Sequence, residues 1–228
     1  MPDVSLRIVL ALTLSTGAVD AVSYFSLDHV FTANMSGNIA LLGIGLATHF
    51  GRVAGNAFAF AGFVLGSVAI ARCFRLRADR SEHRLALEAL ALELALLLAV
   101  TAIVAAVDTT HADGWRYAVC LLLAAAMGIQ TGLSRHLAVK DVNTTVATMT
   151  LHDLAAASRL AGGDSLRWRR RAAVVLALLA GAAIGVTLDG VVRWGGLAFT
   201  CATVAAVMAT ALAAARRDDA RRPAIADC

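Results

Sequence analysis

Charge is scarce in this chain of 228 residues: only 16% are Asp, Glu, Lys or Arg, and lysine occurs once, at Lys140. Soluble domains carry about 25% charged and about 45–50% apolar residues, whereas 59% are hydrophobic here. A soluble enzyme is excluded on that ground. A long coiled coil, which also favours Ala and Leu, needs Glu and Lys at its flanking positions and fails with them missing. Proline is nearly absent, with two residues, so nothing interrupts long helices. The four cysteines, Cys73, Cys120, Cys201 and Cys228, are scattered without a CxxC pair or a His at ligand spacing, so neither a metal site nor a cofactor is expected. No Walker or dinucleotide fingerprint is present.

What is there is a set of long apolar runs, and they read as an all-α integral membrane protein. Segment 86–107 is apolar on consecutive positions apart from its two glutamates, unlike the alternation of a membrane β-barrel. Strong runs cover 6–27, 53–72, 85–107, 115–134, 172–192 and 195–215, each long enough to cross about 30 Å of hydrocarbon. Arg7 followed by an apolar run into Gly17 and Ala21 resembles a secretion signal, but the spans that follow favour an uncleaved first helix. Two shorter segments lie at 36–48 and 148–161. The second carries His152, Asp153 and Arg159, and a central charge costs about 2.5–3.5 kcal/mol in a spanning helix; it is not expected to cross.

The net charge of +4 is read as topology, with no nucleic-acid partner. Arg72, Arg75, Arg77, Arg80 and Arg84 crowd one connection, Arg167, Arg169, Arg170 and Arg171 another, and Arg216, Arg217, Arg221 and Arg222 the end of the chain. Basic loops stay cytoplasmic, which requires six crossings with both termini inside. Residues 1–215 then form one membrane domain, and 216–228, charged and containing Pro223, form a disordered cytoplasmic tail.

An internal repeat is the most informative feature. Gly17-Ala-Val-Asp20-Ala-Val-Ser23 matches Gly128-Ile-Gln-Thr131-Gly-Leu-Ser134, Asn34-Met-Ser36-Gly matches Thr148-Met-Thr150-Leu, and Ala61-Gly62 with Gly66 matches Ala180-Gly181 with Gly185. The anchors are collinear, with offsets of 111, 114 and 119. Two copies of three spans, 6–107 and 115–215, enter the membrane from opposite sides, an inverted-topology arrangement found in many secondary transporters. By that symmetry the segment 36–48 is a half-crossing element like its partner.

Thr16-Gly17-Ala18-Val19-Asp20, then Val30-Phe31-Thr32-Ala33-Asn34-Met35-Ser36-Gly37-Asn38, and later Ala126-Met127-Gly128-Ile129-Gln130 resemble the YoaK family of bacterial multipass membrane proteins over nearly the whole chain. Ser36 stands where that family more often has Thr, and Thr150-Leu151-His152 where it often repeats Thr-Gly. The resemblance implies a location in the bacterial cytoplasmic membrane and carries no established substrate.

Several residues are candidates for function. Asp20, deep in the first span, is either a substrate or proton site or a structural hydrogen-bonding group. Asn34 or Ser36 suits the N-cap of the first short helix, Asn38 follows in its first turn, and Thr148 or Thr150 can cap the second; the two positive helix ends can receive a polar or anionic group or simply pack together. Gln130 and Thr131, aligned with Asp20, are interhelical glue or cavity lining. Glu93 is a secondary candidate, and Glu88 snorkels to the interface or meets a loop arginine. Gly62, Gly66, Gly181 and Gly185 read as close-packing faces, within the fold or between copies in a homo-oligomer. A Ser36 and His152-Asp153 hydrolase lacks a nucleophile elbow. The leading expectation is therefore a transporter or channel for a small solute, lodged in the lipid bilayer; a membrane scaffold without activity is the alternative.

Overall fold

The computed structural model describes residues 2–48, 53–107, 113–136, 147–158, 161–163 and 168–221, and these are helical with short turns. The helices in chain order are α1 (Pro2–Ser26), α2 (Met35–Thr48), α3 (Val53–Leu76), α4 (Glu82–Ala106), α5 (Asp113–His136), α6 (Ala147–Ala156), α7 (Trp168–Val191) and α8 (Gly195–Arg221). Six of them, all but α2 and α6, are long and apolar enough to cross a membrane. The expected spans fall within these helices to a few residues. α6 ends at Ala156, earlier than the apolar run suggested. α8 continues to Arg221, so the charged stretch expected to be disordered from 216 is helical for its first six residues, while 222–228 lie outside the described residues.

Helix formation follows from composition. Pro2 stands at the first position of α1, where its missing N–H is no loss. Hydroxyl groups in the spans fold back onto carbonyls one turn earlier, Thr13 onto Val9, Thr101 onto Leu97 and Thr203 onto Phe199. They thereby satisfy themselves in a solvent that offers no hydrogen bonds.

Burial sorts the spans. In α1 and α5, 56% and 61% of the span is buried, against 17–28% in the other four, so this pair forms the centre. Leu12, Val19, Leu123, Met127 and Leu133 are their innermost apolar side chains. Leu65 on α3 and Leu176 and Leu179 on α7 are exposed, at positions that face the acyl chains once the bilayer is present. α1 packs on α7 and α8, and α5 packs on α3 and α4; α2 lies on α3, α6 lies on α7, and α4 meets α8.

Glycines set the two tightest crossings. A Cβ on Gly62 or Gly66 would lie 2.1 Å from the carbonyl oxygen of Leu121 or Ala125 on α5, and one on Gly181 would lie 1.9 Å from that of Leu14 on α1. A Cβ on Gly185 would lie 2.8 Å from the Ala18 Cα. Both Gly-xxx-Gly faces are thus occupied inside the molecule. In each crossing the residue numbers rise together, so α1 runs parallel to α7 and α3 parallel to α5.

Candidate functional site

The chain reverses sharply after α1. Asp28 and His29 adopt positive φ of 57° and 63°, a region where these residue types are enriched, and the His29 N–H returns to the Tyr24 carbonyl at 3.0 Å. The following strand of backbone drops back alongside α1 and is captured by Asp20. Its Oδ1 accepts the N–H groups of Thr32 at 3.0 Å, Ala33 at 2.7 Å and Asn34 at 3.4 Å. Asp20 lies six residues before the end of α1, ~9 Å along the axis at 1.5 Å per residue. α2 therefore begins well below the end of α1, and its 14 residues, ~21 Å at 1.5 Å per residue, are too few to cross about 30 Å of hydrocarbon.

The rest of the segment completes this turn. Asn34 caps α2, its Oδ1 accepting from the Gly37 N–H at 3.3 Å and from the Ser36 hydroxyl at 2.9 Å. Asn38, wholly buried, brackets Phe31: its Oδ1 accepts the Phe31 N–H at 2.9 Å and its Nδ2 donates to the Phe31 carbonyl. Gly37 lies against the Phe31 ring, where a Cβ would come within 2.9 Å. Asp20, Asn34, Gly37 and Asn38 thus act together to hold an irregular backbone inside the membrane with its polar groups paired, the condition under which such backbone is tolerated there.

Gln130 forms a second buried polar junction. Its Nε2 donates to the Leu12 carbonyl at 3.1 Å and to the Thr16 hydroxyl at 2.6 Å, and its Oε1 lies 3.1 Å from the Ser15 hydroxyl. It ties α5 to α1 rather than reaching Asp20. Thr131 turns its hydroxyl onto the Met127 carbonyl at 2.8 Å.

Beside α2 lies a cavity of about 790 Å³ between α2, α3 and α5, with Asn34, Ser36, Ser67, Thr131, Arg135 and His136 as its polar lining and Phe63 and Phe74 among its apolar lining. It runs from the first turn of α2 and Phe63, midway along α3, to the ends of α3 and α5. Of the expected site residues it joins Asn34, Ser36 and Thr131. Ser67, Arg135 and His136 were missed. The two basic residues sit just past the apolar run of their span, where charge at an interface is ordinary, and nothing in the sequence tells which way they face.

The other candidates lie elsewhere. Thr150 is buried and Thr148 exposed on α6, whose Asp153 carbonyl accepts from Arg171 at 3.1 Å. Glu93 on α4 is wholly buried, and neither carboxylate oxygen has a hydrogen-bond partner among the described residues. Glu88 pairs with Arg77 and Arg80, and this hydrogen bond holds the Arg77 guanidinium above its ordinary pKa. Ser36 gives its hydroxyl to Asn34 and not to a base. Among the described residues no three His, Cys, Asp or Glu side chains are placed to hold a metal ion, and Cys73, Cys120 and Cys201 are free thiols.

Six long apolar helices around a buried polar centre, with a shorter apolar helix whose entry is held by the carboxylate of Asp20, define a multipass integral membrane protein. The chain belongs to the family described as "Protein of unknown function (DUF1275)", which matches residues 8–213. It is 35% identical over 144 residues to the UPF0700 transmembrane protein YoaK of Bacillus subtilis (strain 168), a match covering 63% of this chain and 62% of that protein. The chain therefore spans less than two thirds of the length of that relative. No solved structure matches it.

Proposed function

We propose that the protein carries a small polar solute across the bacterial cytoplasmic membrane, with the cavity beside α2 as its solute site. One observation carries this reading: a cavity of about 790 Å³ with hydroxyl, amide and basic groups reaches from mid-span to one face of the helix bundle. Its volume falls in the range of small-molecule sites, about 300–1,000 Å³. A scaffold has no use for such a polar space among apolar helices.

The mechanism is alternating access between two inverted repeats, α1–α4 and α5–α8. The helix pairings support it: exchanging α1 with α5, α2 with α6, α3 with α7 and α4 with α8 returns the same set of close neighbours. Both termini are cytoplasmic, because the arginine-rich connection after α3 then obeys the positive-inside tendency. The cavity opens on that same face. Asp20 positions the mouth of α2 and the chemistry is binding rather than catalysis, so the protein is not an enzyme.

Thiol labelling tests the proposal. In full-length protein with Cys73, Cys120, Cys201 and Cys228 replaced by Ser, Ser36→Cys and Thr131→Cys should react with a membrane-impermeant maleimide from the cytoplasmic face. A transporter that alternates should also react, more slowly, from the opposite face. Protection from both sides would leave the scaffold reading in its place.

A further inference from the structure

We infer that the solute is a small oxyanion, of the carboxylate or phosphate class, and that Arg135 is the residue that selects it. The inference rests on the reading of the cavity as a solute site. Among the charged side chains at that face, Arg77 and Arg80 share the Glu88 carboxylate. Arg135 is different: it lines the cavity, it is exposed there, and among the described residues no acid pairs with it. Among the described residues the cavity wall contains no Asp or Glu. Asp20, the acid next to the start of α2, has Oδ1 covered by three backbone N–H groups, so its charge is already met from within the protein.

The remaining polar lining is rich in donors. Asn34 uses its Oδ1 as the helix cap and leaves its Nδ2 hydrogens to the cavity. Ser67 adds a hydroxyl, and His136, tilted at 36° against Phe74 with ring centroids 4.3 Å apart, adds an imidazole. A permanent positive charge among such donors, between low-dielectric walls, attracts anions and repels cations. A planar guanidinium matches the two oxygens of a carboxylate or phosphate with parallel hydrogen bonds.

Two assays on the full-length protein test this, using acetate, inorganic phosphate, neutral acetamide and methylammonium at constant ionic strength. In detergent, acetate or phosphate should raise the thermal midpoint saturably while acetamide and methylammonium do not. Arg135→Gln should weaken the anion affinity at least about tenfold, the loss of one charge-assisted contact, with the unliganded midpoint unchanged, and Arg135→Lys should recover part of it. Protein-dependent flux of the same labelled probes is then measured in vesicles. Equal shifts from acetamide or methylammonium, or anion affinity that survives Arg135→Gln, overturn the inference. Flux of a neutral or cationic probe without anion binding removes the anion site and leaves transport standing. Anion binding through Arg135 with no flux of any probe removes transport and leaves the site. Neither binding nor flux removes both.

Discussion

Asp20, half-buried, and Glu93, wholly buried, are both acids in spans, and their surroundings give them opposite energetic roles. Asp20 meets three backbone donors; Glu93 meets none among the described residues. Removing Asp20 leaves three N–H groups unpaired in an irregular segment, at about 1–3 kcal/mol for each that stays dry. Removing Glu93 takes away a polar group that desolvation penalises without return. Asp20→Ala should therefore lower the thermal midpoint in detergent sharply, and Glu93→Met, of similar volume, should raise it by the equivalent of about 1–3 kcal/mol. A lower midpoint in Glu93→Met would mean that Glu93 has a partner in the membrane. Only part of this contrast was legible in the sequence. Asp20 and the Asn34–Asn38 stretch were marked as polar residues between apolar runs, but the partners of Asp20 are backbone amides, which every sequence has and no pattern displays. The isolation of Glu93 depends on how α4 packs against α5 and α8, and Arg135 and His136 became site residues only when α5 was placed beside the start of α2.

At the level of elements, the spans were read from the sequence to within a few residues because length and unbroken apolarity are what the bilayer demands. The expectation that the first short helix stops short of a full crossing came from symmetry and not from hydropathy, since its residues are apolar enough to span. Packing register was less accessible. Gly17 and Gly128 hold similar places, a Cβ on either meeting a carbonyl oxygen, of Leu178 or Phe63, and the nitrogen four residues on, of Ala182 or Ser67; Gly181 on Leu14 then answers to Gly66 on Ala125, so matching Gly62 with Gly181 is one turn out. Small residues recur so often in membrane helices that a match can be displaced by a turn. The crossings themselves make a clear prediction. Gly181→Ala would put a Cβ 1.9 Å from a backbone carbonyl oxygen, so α1 and α7 must separate, with a cost on the order of 2 kcal/mol from lost packing. Gly43→Ala on α2, where a Cβ meets nothing within 4 Å, should be neutral or stabilising by up to about 1 kcal/mol. Thermal unfolding of the two variants side by side checks the sign of each.

For the whole molecule, orientation decides what the cavity is for. α3 and α5 run parallel and both end where the cavity opens, so whichever side receives the end of α3 receives the mouth of the cavity. Arg77 and Arg80 follow α3 directly and hold Glu88 of α4, which fixes a charged turn at that face. Five arginines in this connection bias it to the cytoplasm, and the same reasoning sends the connection after α4, which follows Val107, to the other side. Alkaline phosphatase, active only outside the cytoplasm, should therefore be active when fused after Val107 and inactive when fused after Asp79 or at the C-terminus, with a fluorescent protein giving the reverse pattern. If the fusion after Asp79 were the active one, the bundle would be inverted, the cavity would face outward, and the arginines would have failed as topology signals. With the expected pattern, the solute meets Arg135 from the cytoplasmic side, and labelling of Thr131→Cys should be faster in inside-out than in right-side-out vesicles.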